Sequence, residues 1–369
     1  MIIKDEIYGM VEFDELERRI IDCPDFQRLR RIKQMSFTNL VYPGANHTRF
    51  EHSLGTAHLS SVIARRLGLD DEVRKKVKLY GLVHDIGHTA FSHEGEAVLE
   101  PLIGDHEKLG EQRIKKGELA DILKENYKPQ EIIELGKKKE GQIISSDLGA
   151  DRMDYLKRDA LNTGVAYGVI DIDRIVHTLA FEEEELVIMQ GGLEAAESLL
   201  VGRFMMFSAV YLHHTVRIAT AMLARALRLS IKDGTLKADA FRELTDDDAI
   251  TAMAKSKTAK PYVDGILGRR LYKEVFSLEK GKILKENINK LETSLSEKLG
   301  CDVLIDPPSP FSKTVGFKVK TDSGLKQITA ISDLVLSLKK SEESRMRTLV
   351  LVPQEYRENA KRTLPGLFH

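Results

Sequence analysis

Gly81-Leu82-Val83-His84-Asp85-Ile86-Gly87-His88-Thr89-Ala90-Phe91-Ser92-His93 is the stretch on which the reading of this chain turns. An apolar run passes abruptly into residues that bind metals and move protons. Upstream, Val73, Val77, Tyr80, Leu82 and Val83 predict a helix, capped by Asp70 or Asp71 and ending near Gly87. His84 and Asp85 therefore fall at a helix end. Adjacent helical residues point about 100° apart, so the pair cannot clamp an ion from one helix face. The two converge on one ion only where their helix meets other elements. Burying such groups without partners is costly.

Three other blocks supply those elements. Seven of the 11 histidines (His47, His52, His58, His84, His88, His93 and His106) lie between positions 47 and 106, a crowding that packing alone explains poorly. Arg49-Phe50-Glu51-His52-Ser53 opens a helix predicted over 51–67. Asp151-Arg152-Met153-Asp154-Tyr155, with Asp159, falls in a helical pattern over 143–159. His52 and Asp151 complete, with His84 and Asp85, a mixed nitrogen and oxygen set. Such a set suits Zn, Mn, Fe, Co, Ni or Mg rather than a thiolate-bound ion. Taken alone, Arg49 reads as a surface or salt-bridge arginine. Tyr155 and Tyr211 read as core-edge tyrosines, and Met205-Met206-Phe207 as core or subunit interface.

The rest of the chain reads as mainly helical. Helices are expected from Asp14 through Ile20, from Pro24 through Met35, and over 106–116, 118–126 and 129–136. Residues 89–104 read as irregular around a short helix at 94–99, and 38–49 as a loop. A β-hairpin is expected over 178–190, turning at Glu182–Glu185. A long helix, whole or with one break, follows over 193–230, then helices at 237–255, 261–276 and 282–299. After Gly300 the pattern changes: Asp306-Pro307-Pro308-Ser309-Pro310 is a linker, with strands expected at 302–305, 314–320 and 347–352 and helices at 331–339 and 354–362. The expected layout is a helical body over 1–300 and a small α/β region over 301–369.

Composition excludes little. Lys+Arg number 56 against 57 Asp+Glu, so net charge gives no argument for nucleic acid or a membrane surface as partner. Cys23 and Cys301, the only cysteines, point to a reducing compartment without disulfides. No apolar run approaches the roughly 20 residues of a membrane span, and the acidic start is unlike a signal peptide. A soluble, cytoplasmic protein is expected.

The blocks at 49–55, 84–93, 151–159 and 203–213, in this order, resemble the HD-domain phosphohydrolases. Within them they are most similar to the deoxynucleoside triphosphate triphosphohydrolases. The likeness spans roughly the first three-quarters of the chain. The resemblance implies that His52, His84, Asp85 and Asp151 bind a divalent metal. It places His88 and His93 beside the reacting phosphate and makes His106 catalytic, with Glu96 where relatives carry an aspartate. Arg49, Arg152 (a lysine in relatives) and Arg203 would meet phosphates. Tyr155 and Asp159 would hold the sugar, and Tyr211 would pack where a 2′-hydroxyl would clash. The implied reaction releases a deoxynucleoside and inorganic triphosphate. Relatives form homo-oligomers and can take a nucleotide activator. Two other readings stand beside this one: an HD phosphohydrolase for nucleoside monophosphates, cyclic nucleotides or (p)ppGpp, and a nucleotide- or nucleic-acid-binding module with a vestigial site.

Overall fold

A computed structural model describes residues 1–279, 287–307 and 316–364. The fold is mainly α, as expected, with small sheets at its margins. The helices that build the centre are α1 (Arg49–Arg66), α2 (Asp71–Val83), α3 (Ser92–Ile103), α4 (His106–Lys115), α5 (Ala150–Thr163), α6 (Leu193–Met206), α7 (His214–Lys232) and α8 (Asp246–Met253).

Helix α1 is the axis. Thr48 caps it, and Glu51 reaches back to accept from the Thr48 backbone N–H at 2.9 Å, one half of a capping box. The helix thus begins two residues earlier than its apolar pattern indicates. It is buried on several sides and packs on both α2 and α5. Gly55 allows the second approach: a Cβ there would overlap the Asp154 carboxylate and the Arg158 guanidinium on α5.

Two apolar clusters meet on this axis, and a third lies beyond the His84–His93 turn. Phe50, Leu54 and Ala57 join Leu79, Leu82, Val83 and Ile86 with Phe26 and Leu29. Leu59 and Ile63 join Met153, Leu156, Leu199 and Val210. Ala90, Phe91 and Leu99 pack on Ile218, Met222, Leu223 and Phe241. Each buried Leu, Ile or Phe contributes about 1.5–3 kcal/mol by leaving water. The His84–His93 stretch runs from the first cluster to the third, so packing fixes it at both ends.

Among the described residues nine short strands flank the helices: β1 (Ile2–Asp5), β2 (Gly9–Glu12), β3 (Leu179–Glu182), β4 (Glu185–Met189), β5 (Lys273–Glu279), β6 (Leu304–Asp306), β7 (Lys318–Thr321), β8 (Gly324–Gln327) and β9 (Arg347–Val352). The hairpin β3–β4 stands where expected, turning through Glu183 and Glu184, both at positive φ. Strand β4 then pairs in parallel with β7, and β5 pairs antiparallel with β9, which also pairs with β6. Both sheets therefore join strands from either side of residue 300.

Several expected elements need correction. The helix expected over 261–276 ends at Leu267. Arg269 adopts positive φ, and Lys273–Glu279 after it form β5 on the edge of β9. The stretch 89–104 is more regular than expected, forming all of α3. The helical pattern over 143–159 divides into Gln142–Ser145 and α5. The Pro24 helix stops at Arg28 and passes into one 3₁₀ turn, and 237–255 yields a 3₁₀ turn and α8. The 193–230 helix is broken: α6 widens into a π-helical turn, Phe207–Tyr211, before α7. The start of the expected 282–299 helix, Pro308-Ser309-Pro310 of the linker and the start of the 314–320 strand lie outside the described residues. Among the described residues no single helix is long and apolar enough to cross a membrane.

Candidate metal centre

Helix α2 ends at Val83, and His84 to His88 form a tight turn against the start of α4. Gly87 permits this, because a Cβ would meet the backbone of His106 and Gly110. Buried Arg28 braces the turn from behind, donating from Nη2 to the carbonyls of Ile86 at 3.1 Å and His88 at 2.8 Å. Phe91 and Ser92 follow at φ 64 and 52, a left-handed pair that costs on the order of 1–3 kcal/mol each. Asp246 of α8 holds that pair: Oδ1 accepts from Phe91 N–H at 2.7 Å, and Oδ2 from Lys33 N–H at 2.9 Å.

His52 projects from α1, His84 and Asp85 from the turn, and Asp151 from the first turn of α5. His52 Nε2 lies 3.1 Å from Asp151 Oδ1 and 3.6 Å from Asp85 Oδ2. His84 Nε2 lies 3.4 Å from Asp85 Oδ1 and 3.9 Å from Asp151 Oδ1. Donors held about 2.0–2.2 Å from one cation stand apart by just such distances. The tautomers agree with that use. His52 Nδ1 is 2.8 Å from Asp154 Oδ2, and His84 Nδ1 is 2.8 Å from the Gly81 carbonyl oxygen. With the proton assigned to Nδ1, each Nε2 lone pair faces the centre. Both Nε2 atoms are buried and lack a hydrogen-bond partner. The donor set and these orphaned nitrogens fit a divalent cation.

Electrostatics point the same way. Burial works against charge on His52, but Asp151, Asp154 and Asp85 outweigh it and push its pKa up to about 10. The carboxylates demand positive charge at their centre, as a proton or as a cation. Burial raises the Asp85 pKa, yet His84, Arg49 and His88 overcome it and hold the carboxyl far below the usual range. Arg49 Nη1 contacts Asp85 Oδ2 at 2.6 Å, and its Nε donates to Ser92 Oγ at 3.0 Å.

A second cluster stands alongside. The His88 and His106 rings stack at 4.1 Å, and His93 meets both edge-on. Glu96 Oε1 lies 2.7 Å from His106 Nδ1 and Oε2 lies 2.9 Å from His93 Nδ1. Burial, Arg49 and His106 depress the His88 pKa strongly. For His106 burial opposes charge, but Glu96 prevails and raises it. Two stacked imidazoles thus differ in proton affinity, a pattern that separates an acid from a neutral neighbour.

Both clusters open on one cavity of about 970 Å³. His84, Asp85, Asp151, His93, Glu96 and His106 line it with Arg49, Arg152, Arg203, Tyr155, Asp159 and Tyr211. His52 and His88 stand behind that wall, 0% and 1% exposed. The fourteen residues to which the resemblance gives site roles are therefore in or against this cavity. Arg152 pairs with Asp147, and Arg203 lies 3.7 Å from Glu342. The π-helical turn delivers Tyr211, whose hydroxyl donates to Asp159 Oδ2 at 2.6 Å. Sequence reading gave no role to Asp154 behind His52, Arg28 behind the turn and Asp246 at the left-handed pair. His47, counted in the histidine crowding but given no role, lies against Asp159. Asp154 also carried a signal, lying one helical turn after Asp151.

Comparison with known proteins agrees with this architecture. The HD domain family matches residues 49–159, and the HD associated region matches 170–369. The chain is 39% identical to an uncharacterized protein of Methanocaldococcus jannaschii over 96% of this chain and 79% of that one. A phosphohydrolase from Bacteroides thetaiotaomicron superposes with a TM-score of 0.76 at 27% identity, over 96% of this chain and 99% of that one. A bovine protein named deoxynucleoside triphosphate triphosphohydrolase is 39% identical, over 33% of this chain and 24% of its own. With its histidine–aspartate cluster set at the junction of α1, α2 and α5, the chain belongs to the HD-domain family of phosphohydrolases.

Proposed function

We propose that the chain hydrolyses deoxynucleoside triphosphates to a deoxynucleoside and inorganic triphosphate, using a divalent metal held by His52, His84, Asp85 and Asp151. The observation that carries the reading is a single cavity with three kinds of wall. One is the metal-type cluster, one presents Arg49, Arg152 and Arg203, and one carries the hydrogen-bonded Asp159–Tyr211 pair. A triphosphate needs the first two, and a sugar suits the third. The named relative in Bos taurus supports the substrate class.

When bound, a divalent cation supplies acidified water near neutral pH and neutralises phosphate charge. The chain's own residues do the rest. Arg49, Arg152 and Arg203 draw the triphosphate in and oppose charge that builds on its oxygens. His106, steadied by Glu96 on Nδ1, presents Nε2 to the cavity and donates a proton to the oxygen leaving the α-phosphorus. His88 and His93 flank it. Tyr155, Asp159 and Tyr211 fix the sugar, with the Tyr211 ring excluding a 2′-hydroxyl.

The test is turnover of all four dNTPs and all four NTPs with Mn, Mg, Co, Ni, Zn and Fe, with products separated by ion exchange. Deoxynucleoside and tripolyphosphate in equal amounts are expected, from dNTPs only. Orthophosphate or pyrophosphate would point instead to another HD phosphohydrolase. Nucleotide or nucleic-acid binding without turnover would point to a vestigial site.

A further inference from the structure

Arg152 meets the cavity already held from behind. It stands in the first turn of α5, and a tight turn precedes that helix, closed by the Gly149 N–H donating to the Ser146 carbonyl at 2.9 Å. Gly149 allows the turn, because a Cβ there would run into the Ile144 carbonyl. The chain thus folds Asp147 back onto the start of α5, where its Oδ1 accepts from Arg152 Nη1. Arg152 lines the cavity and Asp147 does not. Arg152 Nε is buried without a hydrogen-bond partner among the described residues. With one guanidinium nitrogen held and one buried, Nη2 is left to present to the cavity. Asp147 is fixed in turn: its Oδ2 accepts from the Gly316 N–H at 2.7 Å, 169 positions along the chain. The C-terminal part of the chain backs a second cavity arginine too, for buried Glu342 of the helix Asp333–Arg345 lies 3.7 Å from Arg203.

We propose that Asp147 is a positioning residue for the triphosphate: it grips Arg152 by Nη1 so that Nη2 meets a phosphate oxygen, and the Gly316 amide sets Asp147. Its role rests on reading the cavity as a triphosphate site. An arginine is long and flexible, and binding through it costs the freedom it loses. One that is already held loses less. Holding also protects the other chemistry of the cavity. Asp151 and Asp159 line the same space, and a guanidinium free to swing would be drawn to either carboxylate. Asp147 satisfies Arg152 outside the cavity, which leaves Asp151 to the metal-type cluster and Asp159 to the sugar. Through this one carboxylate the region around Gly316 reaches the phosphate side of the site without lining it.

The test is a pair of affinities measured by calorimetry on the full chain at a fixed excess of manganese. Inorganic tripolyphosphate and a deoxynucleoside are each titrated into wild type, Asp147→Ala and Asp147→Asn. Asp147→Ala should weaken tripolyphosphate about tenfold and leave the deoxynucleoside unchanged, a split that general loss of structure would not produce. Asp147→Asn keeps one acceptor and should fall between. Once Arg152→Ala is present, adding Asp147→Ala should cost nothing further. Gly316→Pro removes the amide N–H at an exposed position and should reproduce part of the Asp147→Ala loss. Equal tripolyphosphate affinity in wild type and both Asp147 variants, or losses that add when Arg152 is also replaced, would overturn the role. Wild-type affinity in Gly316→Pro would overturn the link to the C-terminal part. A chain that hydrolyses no deoxynucleoside triphosphate, yet shows the tripolyphosphate split, would keep Asp147 in its role and defeat the proposed reaction. Normal hydrolysis with an unchanged KM in Asp147→Ala would do the reverse.

Discussion

His47 Nε2 lies 2.7 Å from Asp159 Oδ1 in a contact buried from solvent, while Tyr211 holds the other carboxylate oxygen. Asp159 therefore reaches the cavity already oriented from two sides. His47 comes from the loop before α1 and touches no cavity surface of its own, so it acts as a positioning residue. His47→Ala should raise the KM for a deoxynucleoside triphosphate about tenfold, near 1.4 kcal/mol, with a smaller change in kcat. Leaving Asp159 Oδ1 without its buried partner should also lower stability by about 1.5–3 kcal/mol. Steady-state kinetics and thermal melts check both, with His47→Gln restoring part of each. An unchanged KM would show that Asp159 needs no such support.

Asp154 is placed to orient His52. Its Oδ2 is 2.8 Å from His52 Nδ1, and buried Arg158 grips the same carboxylate at 2.9 and 3.0 Å while reaching Asp5 at 3.0 Å. Asp154→Asn should weaken metal affinity about 10–100-fold without removing a ligand. Arg158→Ala leaves two buried carboxylates uncompensated and should cost about 3–5 kcal/mol. Metal titration of the first variant and denaturant unfolding of the second read these effects. Wild-type affinity in Asp154→Asn would exclude the orienting role.

Asp246 sets a pH dependence that lies away from the metal-type cluster. Burial pushes its pKa up to about 6, against the pull of the Phe91 and Lys33 amides and the Lys33 charge. A carboxyl with a raised folded-state pKa binds its proton more tightly in the native than in the unfolded chain. Stability from this group is therefore fully present below about pH 4 and falls as pH rises to about 6, by at most about 3 kcal/mol. Asp246→Asn cannot titrate. The difference in Tm between wild type and this variant should shift against the wild type between those pH values. A constant difference would refute the assignment.

The legible parts of the sequence were those whose signal is local. The β3–β4 hairpin shows in its two apolar runs on either side of four glutamates, and the helix ending at His84 shows in its apolar spacing and its aspartate cap. The cavity residues stood out because ligand types crowd into few blocks. What stayed hidden depends on partners distant in sequence. Strand β5 is a strand because β9 lies beside it, 74 positions from Lys273 to Arg347. Asp246 matters only because its helix meets the Phe91–Ser92 pair, and His47 only because its loop lies over α5. Nothing near Asp246 or Arg28 in sequence marks them as braces for the His84–Ser92 turn.

Hydrolysis in ¹⁸O-labelled water tests the central claim most directly, because the label records which atom water attacks. Attack at the α-phosphorus beside His52, His84, Asp85 and Asp151 puts ¹⁸O into the inorganic triphosphate and leaves the deoxynucleoside unlabelled. Asp85→Ala should abolish both products. Label in the deoxynucleoside, in orthophosphate or in pyrophosphate, or full turnover by Asp85→Ala, would contradict the account.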